Sequence, residues 1–195
     1  MLLYALSYRG VGIGNFELRA ESRGEGWRFW GRPAGFSLAR ALGFELEMRS
    51  ETGPDLTTRR FEKRLRSPLV GEILLVATAQ EEVRAVRFEN GRPAGSYRAR
   101  VGAVFDDLSL VYHIRVRPRA GELAFLGLYG VVRGRLELVG EEEVRVPAGR
   151  FRAQVFRFDR PEAFFELALS PSRLPVRIVL GYGGERVVAS LLEVR

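Results

Sequence analysis

Phe165-Glu-Leu-Ala-Leu-Ser-Pro-Ser-Arg-Leu-Pro-Val-Arg-Ile-Val-Leu180 carries the pattern that decides the fold. Phe165, Leu167 and Leu169 fall on alternate positions, and so do Val176, Ile178 and Leu180, with Arg177 among them on the other side. Successive side chains of a strand point to opposite faces, so a period of two gathers the apolar set on one face of a sheet. Upstream, Leu136 and Leu138 alternate with Arg135 and Glu137 in the same way. Such alternation means a sheet with one face on a core and the other toward water.

Working outward, turn signals recur at short spacing: Gly10-Val-Gly-Ile-Gly14, Gly24-Glu-Gly26, Thr52-Gly-Pro-Asp55, Asn90-Gly-Arg-Pro93, Pro147-Ala-Gly149 and Gly181-Tyr-Gly-Gly184. Short strands between Gly/Pro turns at this rhythm predict an all-β fold, a strongly curved antiparallel sheet of half-barrel or barrel-like form. Asn90-Gly91 suits a hairpin, because both residues tolerate the positive φ that primed turns require. The pattern places strands near 2–9, 13–21, 26–34, 44–51, 56–65, 70–78, 83–89, 95–101, 122–129, 131–139, 142–147, 151–158, 163–169, 175–181 and 186–194. One segment breaks the period. Across Asp106–Arg115, Leu108, Val111, Tyr112 and Arg115 recur at helical spacing, and Asp106 or Asp107 can cap the first turn. A short helix is expected near 106–116, with Arg115 and Arg117 toward its C-terminus, where positive charge is favoured. A second short turn is expected at Ser37–Leu42.

The chain of 195 residues is read as one domain, 1–195. A domain of that length buries about 70% of the surface its unfolded chain exposes, so it needs no disulfide or metal to stay folded. There is no cysteine, which excludes thiolate nucleophiles and cysteine-based zinc sites. The apolar start Met1–Leu6 is broken at Ser7 and ended by Arg9, and reads as a strand rather than a secretion signal. No stretch approaches the ~20 apolar residues of a spanning helix. The expected compartment is cytoplasmic as the chain stands, or periplasmic or exported if a signal has been removed. Net charge is +7, and Lys63 is the only lysine among 31 cationic residues. Abundant Arg and Glu beside scarce Gln and Asn fit a thermophile, and equally a GC-rich genome.

Chemistry-bearing patterns are few. His113 is the only histidine, and no Gly-x-Ser-x-Gly elbow accompanies it. It reads as a surface or interface residue of the helix, and a His113 enzyme using Asp106 or Asp107 ranks last. Glu141–Glu143 are strand neighbours and point to alternate faces, so they read as a solvated strand start rather than a catalytic pair. Gly10–Gly14 precedes a strand rather than a helix, which argues against a dinucleotide loop. No metal site and no cofactor are expected.

Two groups remain as candidate sites. Arg59, Arg60, Lys63, Arg64 and Arg66 form a basic run that could bind anions; on a strand, Arg60, Glu62, Arg64 and Arg66 face one way and Phe61, Lys63 and Leu65 the other. Trp27, Phe29 and Tyr112 are candidate contacts for an apolar ligand, since aromatic rings offer apolar area with a polar edge. Core packing is the competing reading of the aromatics, and a solvated outer face that of the charges.

The order of several short segments also resembles a known family. Leu6-Ser-Tyr-Arg-Gly-Val-Gly-Ile-Gly14 is similar to the opening strand and turn of the Domain of Unknown Function 3108 family, and Arg60-Phe-Glu-Lys63 to one of its middle strands. Asp107-Leu-Ser-Leu-Val-Tyr112 resembles its helix start, with Leu108 where proline is usual. Val146-Pro-Ala-Gly-Arg-Phe-Arg-Ala153 resembles its Pro-Ala-Gly-x-Phe corner. Leu169-Ser-Pro-Ser-Arg-Leu-Pro-Val-Arg-Ile178 is similar to its strand pair, with Ser170-Pro-Ser172 replacing acidic positions, and Val187–Val194 fits its closing strand. The resemblance implies an antiparallel β protein, usually exported, without a known activity. The function expected is a non-catalytic binding or scaffold protein of the cell envelope, holding an apolar ligand or partner segment in the curved sheet. The alternative is a binder of nucleic acid or anionic surfaces through the arginine-rich strand.

Overall fold

The computed structural model describes residues 1–35, 37–68, 71–160 and 163–195. From the N-terminus, the first half runs β1 (Leu2–Tyr8), β2 (Val11–Arg23), β3 (Gly26–Ala34), α1 (Leu38–Ala41), β4 (Glu45–Thr52), β5 (Thr58–Ser67), β6 (Gly71–Ala79), β7 (Val83–Glu89) and β8 (Arg92–Ala99). The second half runs β9 (Val104–Phe105), α2 (Asp107–Val116), β10 (Gly121–Leu126), β11 (Val131–Val146), β12 (Gly149–Arg160), β13 (Ala163–Leu169), β14 (Pro175–Tyr182) and β15 (Glu185–Val194). The expected start of a strand at 70 lies outside the described residues.

All fifteen strands among the described residues belong to one sheet, in the order β8-β7-β6-β5-β4-β3-β2-β1-β15-β14-β13-β12-β11-β10-β9. The chain's two ends therefore meet in mid-sheet: β1 pairs with β15, and the terminal amine of Met1 donates to the Arg195 carbonyl at 2.8 Å. From that seam two meanders run outward, antiparallel throughout except at the far edge, where β9 pairs parallel with β10. Laid flat, fifteen strands at about 4.8 Å spacing would span roughly 67 Å. Yet β8 and β9, the two outer edges, are consecutive in sequence, and the step from Ala99 to Val104 reaches at most about 18 Å. The sheet must curl until its edges approach. Two contacts join the β7–β8 side to the β10–β11 connection: the Tyr97 hydroxyl of β8 donates to the Gly127 carbonyl at 2.7 Å, and the Arg87 guanidinium of β7 lies 4.4 Å from the Tyr129 ring centre.

The predicted period holds in the strands that define it. Phe165, Leu167, Leu169, Val176 and Ile178 are buried, and Arg177 turns to the Glu142 and Glu166 carboxylates. Asn90 and Gly91 both take positive φ and close the β7–β8 hairpin. The Gly10–Gly14 corner is tighter than expected: the turn is Arg9-Gly10, and Val11 already belongs to β2. Two further expectations need correction. The strands expected at 131–139 and 142–147 are one strand, β11, with a bulge between Leu138 and Gly140. The pairing of Leu136 with Leu138 on a buried face fails there, since Leu136 is 2% exposed and Leu138 47%. Beyond that point β11 and β12 stay packed on the sheet: Val144 and Ala153 belong to the core, and the Ala148 N–H donates to the Leu191 carbonyl of β15 at 3.0 Å.

Helix α2 lies inside the curve. Leu108, Leu110, Val111, Tyr112 and Ile114 are all buried, so the helix is apolar around most of its circumference rather than along one stripe. At about 1.5–3 kcal/mol per buried large side chain, this helix contributes an upper bound of order 10 kcal/mol to the core. α1 is the short turn expected at Ser37–Leu42, with Ser37 as its cap.

Candidate functional site

Each end of α2 is fixed by polar groups. Asp106, fully buried, is its N-cap. One carboxylate oxygen accepts from the backbone N–H groups of Leu108 (2.8 Å) and Ser109 (3.0 Å). The other accepts from the hydroxyls of Ser50 on β4 (2.5 Å) and Thr58 on β5 (2.7 Å). The Ser109 hydroxyl accepts from the Asp106 N–H at 2.9 Å and lies 3.1 Å from the Thr58 oxygen. Since Thr58 donates its only proton to Asp106, Ser109 is the donor in that last contact. Burial pushes the Asp106 carboxyl up from its ordinary range, while these four donors act in the opposite direction.

Local backbone irregularity makes this clamp reachable. Along β5, Thr52 pairs with Thr58 and Glu51 with Arg60, which leaves Arg59 as an extra, bulged residue. A bulge re-aims the side chains beside it. Here it turns Thr58 inward to Asp106 and moves Arg59 out of the inner row to the rim. Next to the cap, the Lys63 ammonium lies 2.9 Å from Asp107 on the inner side, both largely screened from water. At the other end of α2, Arg173 donates to the carbonyls of Arg115 (3.1 Å) and Val116 (2.7 Å), and Arg115 returns a bond to the Arg173 carbonyl. The helix thus crosses the concave face pinned to β4 and β5 at one end and to the β13–β14 connection at the other.

The sequence candidates distribute unevenly over this frame. Trp27, Phe29 and Tyr112 do come together. Phe29 stacks on Tyr112 with ring centres 4.2 Å apart, and Trp27 lies parallel to Phe29 at 6.4 Å. The stack runs from Trp27, which is 40% exposed, into the core, where Phe29 and Tyr112 are buried. Burial raises the Tyr112 hydroxyl to about 12. The basic run divides as alternation requires. Arg60, Arg64 and Arg66 face outward opposite Glu51, Glu47 and Glu45 of β4, whereas Lys63 faces inward to Asp107. Arg66 is bridged to Glu72 at 2.8 Å; Arg59, Arg60 and Arg64 have no carboxylate within 4 Å among the described residues.

His113 is half-buried, its ring 4.3 Å from Phe105 and its Nδ1 without a hydrogen-bond partner among the described residues. Burial, then the nearby Arg117 charge, lower its pKa. Asp106 lies seven residues before it, about 10 Å along the helix, and its oxygens are already taken by donors. Asp107 is held by Lys63. His113 therefore has no carboxylate from that pair in position to relay its proton. Among the described residues no group of three or more His, Asp or Glu side chains is placed to hold a metal, and no helix is long and apolar enough to cross a membrane.

Two open concavities border the sheet. One, of about 320 Å³, lies on the β11–β12 ribbon between Glu141–Glu143 and Arg150–Arg152. Glu141 pairs with Arg152 across it at 2.7 Å, while Glu142 turns to Arg177 of β14 and Glu143 to Arg145. The other, of about 390 Å³, lies at the rim beside the clamp, lined by Thr57, Thr58, Arg59, Ala79, Gln80, Gly102 and Val104. Sequence reading missed both the clamp and this rim. Ser50, Thr58 and Ser109 carry no motif, and nothing in the sequence announces the bulge at Arg59.

No family model matches the chain, and no curated protein matches it. The resemblance to Domain of Unknown Function 3108 thus rests on the segments quoted above alone. Solved structures do match. A beta-barrel-like protein of Domain of Unknown Function 1849 from Brucella abortus superposes with a TM-score of 0.64 at 10% identity, over 98% of this chain and 94% of that one. An exported-protein candidate with a YmcC-like fold from Bacteroides fragilis gives 0.41 at 9% identity, over 100% and 94%. A lipoprotein candidate from Parabacteroides distasonis gives 0.34 at 10% identity, over the same shares. The first of these shows that the architecture is that of barrel-like β proteins of unknown function, and at such identity shows the fold alone.

Proposed function

We propose that the protein is a non-catalytic binding or scaffold protein of the cell envelope, holding an apolar ligand or partner segment at the mouth of its curled sheet. Kinship with Domain of Unknown Function 3108 is part of the same proposal. The observation that carries it is the ring stack Trp27–Phe29–Tyr112, which leads an exposed indole into the apolar interior beside α2. The interior itself is occupied by α2, so a ligand docks at the mouth against Trp27 instead of displacing the core. Aromatic faces at such an edge suit an acyl chain or an apolar side chain. Native mass spectrometry of protein purified from its own host tests this. The expected result is an adduct in the wild type that is lost in Trp27→Ala and kept in Trp30→Ala. Adduct-free wild-type protein, or an adduct indifferent to Trp27, overturns it.

The alternative reading, an anionic-surface or nucleic-acid binder, is favoured by one observation: Arg60 and Arg64 of β5 face outward without an ion pair among the described residues. The facing Glu47 and Glu51 weaken that field. Fluorescence anisotropy against an oligonucleotide over a salt series decides it, and absent or salt-independent binding ends it.

A further inference from the structure

We propose that the rim concavity beside the clamp binds a phosphate group through Arg59 and Gln80. This goes beyond the apolar site at Trp27 and does not depend on it.

The argument begins with the bulge. Had β5 been regular, Arg59 would occupy an inner position. As the extra residue opposite β4 it instead stands at the rim and lines the concavity together with Gln80, which follows the end of β6. The guanidinium has no carboxylate within 4 Å among the described residues, so its fork of donors is available. Other polar groups there are already committed. The Thr58 hydroxyl serves Asp106, and the Thr57 hydroxyl and N–H serve Asp55 at 2.8 and 3.2 Å. What remains free is a planar cation and a primary amide, the pair of donors that suits an oxyanion.

The surroundings carry the same sign. On the outer face at this end of the sheet, Arg60, Thr78, Arg84 and Arg98 stand in register across β5, β6, β7 and β8. Arg84 and Arg98 are directly opposed like charges, an arrangement that destabilises a sheet unless an anion screens it. Glu82 bridges Arg84, while Arg98 and Arg100 have no ion pair among the described residues. Arg117 adds to the field, lowering the pKa of both Asp55 and His113. Asp55 is the opposing charge beside the concavity. A doubly charged phosphate gains about twice as much from this net positive rim as a carboxylate does, which selects phosphate over a carboxylate ligand.

The test uses inorganic pyrophosphate in calorimetry at low salt, and flotation with phosphatidylglycerol or phosphatidylcholine vesicles. Arg59→Gln and Gln80→Glu are compared with Arg135→Gln, an exposed control on β11. The expected result is saturable binding that weakens about tenfold or more in Arg59→Gln, as loss of a forked charge-assisted contact implies, falls also in Gln80→Glu, and stays within twofold in Arg135→Gln. Pyrophosphate binding identifies a soluble phosphate ligand. Binding to phosphatidylglycerol vesicles alone, with the same variant pattern, identifies a lipid headgroup. No binding in either arm, or equal losses in Arg59→Gln and Arg135→Gln, overturns the site. Trp27→Ala leaves the phosphate arm unchanged, so failure here is separable from failure at the apolar mouth.

Discussion

Replacing Asp106 is the sharpest perturbation of this fold, because one carboxylate joins the helix to two strands. In Asp106→Ala, the N–H groups of Leu108 and Ser109 lose their acceptor, and so do the buried hydroxyls of Ser50 and Thr58. Loss of an N-cap costs about 0.5–2 kcal/mol, and each buried donor left without a partner about 1–3 kcal/mol. Rotation of the two hydroxyls relieves part of this, so the expected loss is roughly 3–6 kcal/mol. That is comparable with the whole stability of an ordinary domain, so a milder variant is informative. Asn caps helices as well as Asp does. In Asp106→Asn the side-chain oxygen keeps both backbone donors, but the amide meets Ser50 and Thr58 as a donor facing donors. Ser50 can turn to accept. Thr58 already accepts from Ser109, so its own proton is left without an acceptor, and the expected cost is about 1–3 kcal/mol. Urea unfolding at neutral pH, followed by far-ultraviolet circular dichroism, measures both. A loss below about 1 kcal/mol for Ala, or equal losses for Ala and Asn, would refute the clamp.

Two further outcomes follow from named contacts. His113 has a folded pKa below its ordinary 6.5, chiefly through burial, so the unfolded chain takes up the proton first on acidification. Stability attributable to His113 is therefore complete above about 6.5 and declines as pH falls from there toward the lowered folded value; His113→Gln should flatten that part of a stability–pH curve, and an unchanged slope would count against the burial reading. At the join between β8 and the β10–β11 connection, Tyr97→Phe leaves the Gly127 carbonyl without its donor, for about 1–2 kcal/mol, and Tyr129→Ala removes a ring–guanidinium contact worth roughly 0.5–1 kcal/mol. Hydrogen exchange in Tyr97→Phe should quicken in β8 before it quickens in β1 and β15, and uniform quickening would show that the join does not open separately.

Much of the architecture was legible because it rests on one local rule. Alternation in 163–169 and 175–180, the Asn90-Gly91 hairpin and the capped segment at 106 each declare themselves within a few residues, and each forms as read. The curl was legible only as a class: its cause, two sheet edges tied by the short step from Ala99 to Val104, appears once the strand order is known. Alternation failed at Leu138 because the bulge between Leu138 and Gly140 uncouples side-chain parity from burial there. The parallel strand Val104–Phe105 is too short to show any period. The candidate sites were legible in part for the same reason. Trp27 and Phe29 share a face by parity, and Tyr112 joins them only through the path of α2. Parity also separates Lys63 from the outward arginines. The partners of Asp106 come from β4 and β5, some fifty residues away, and no local pattern links them.

Binding at the aromatic mouth is tested most directly by short-range quenching. In Trp30→Phe the only indole is Trp27, and in Trp27→Phe it is Trp30, which pairs with Arg49 in mid-sheet. Titration with 12-bromododecanol should quench Trp27 saturably while leaving Trp30 close to its collisional baseline. Equal quenching of the two, or none at Trp27, would contradict an apolar docking site at the end of the ring stack.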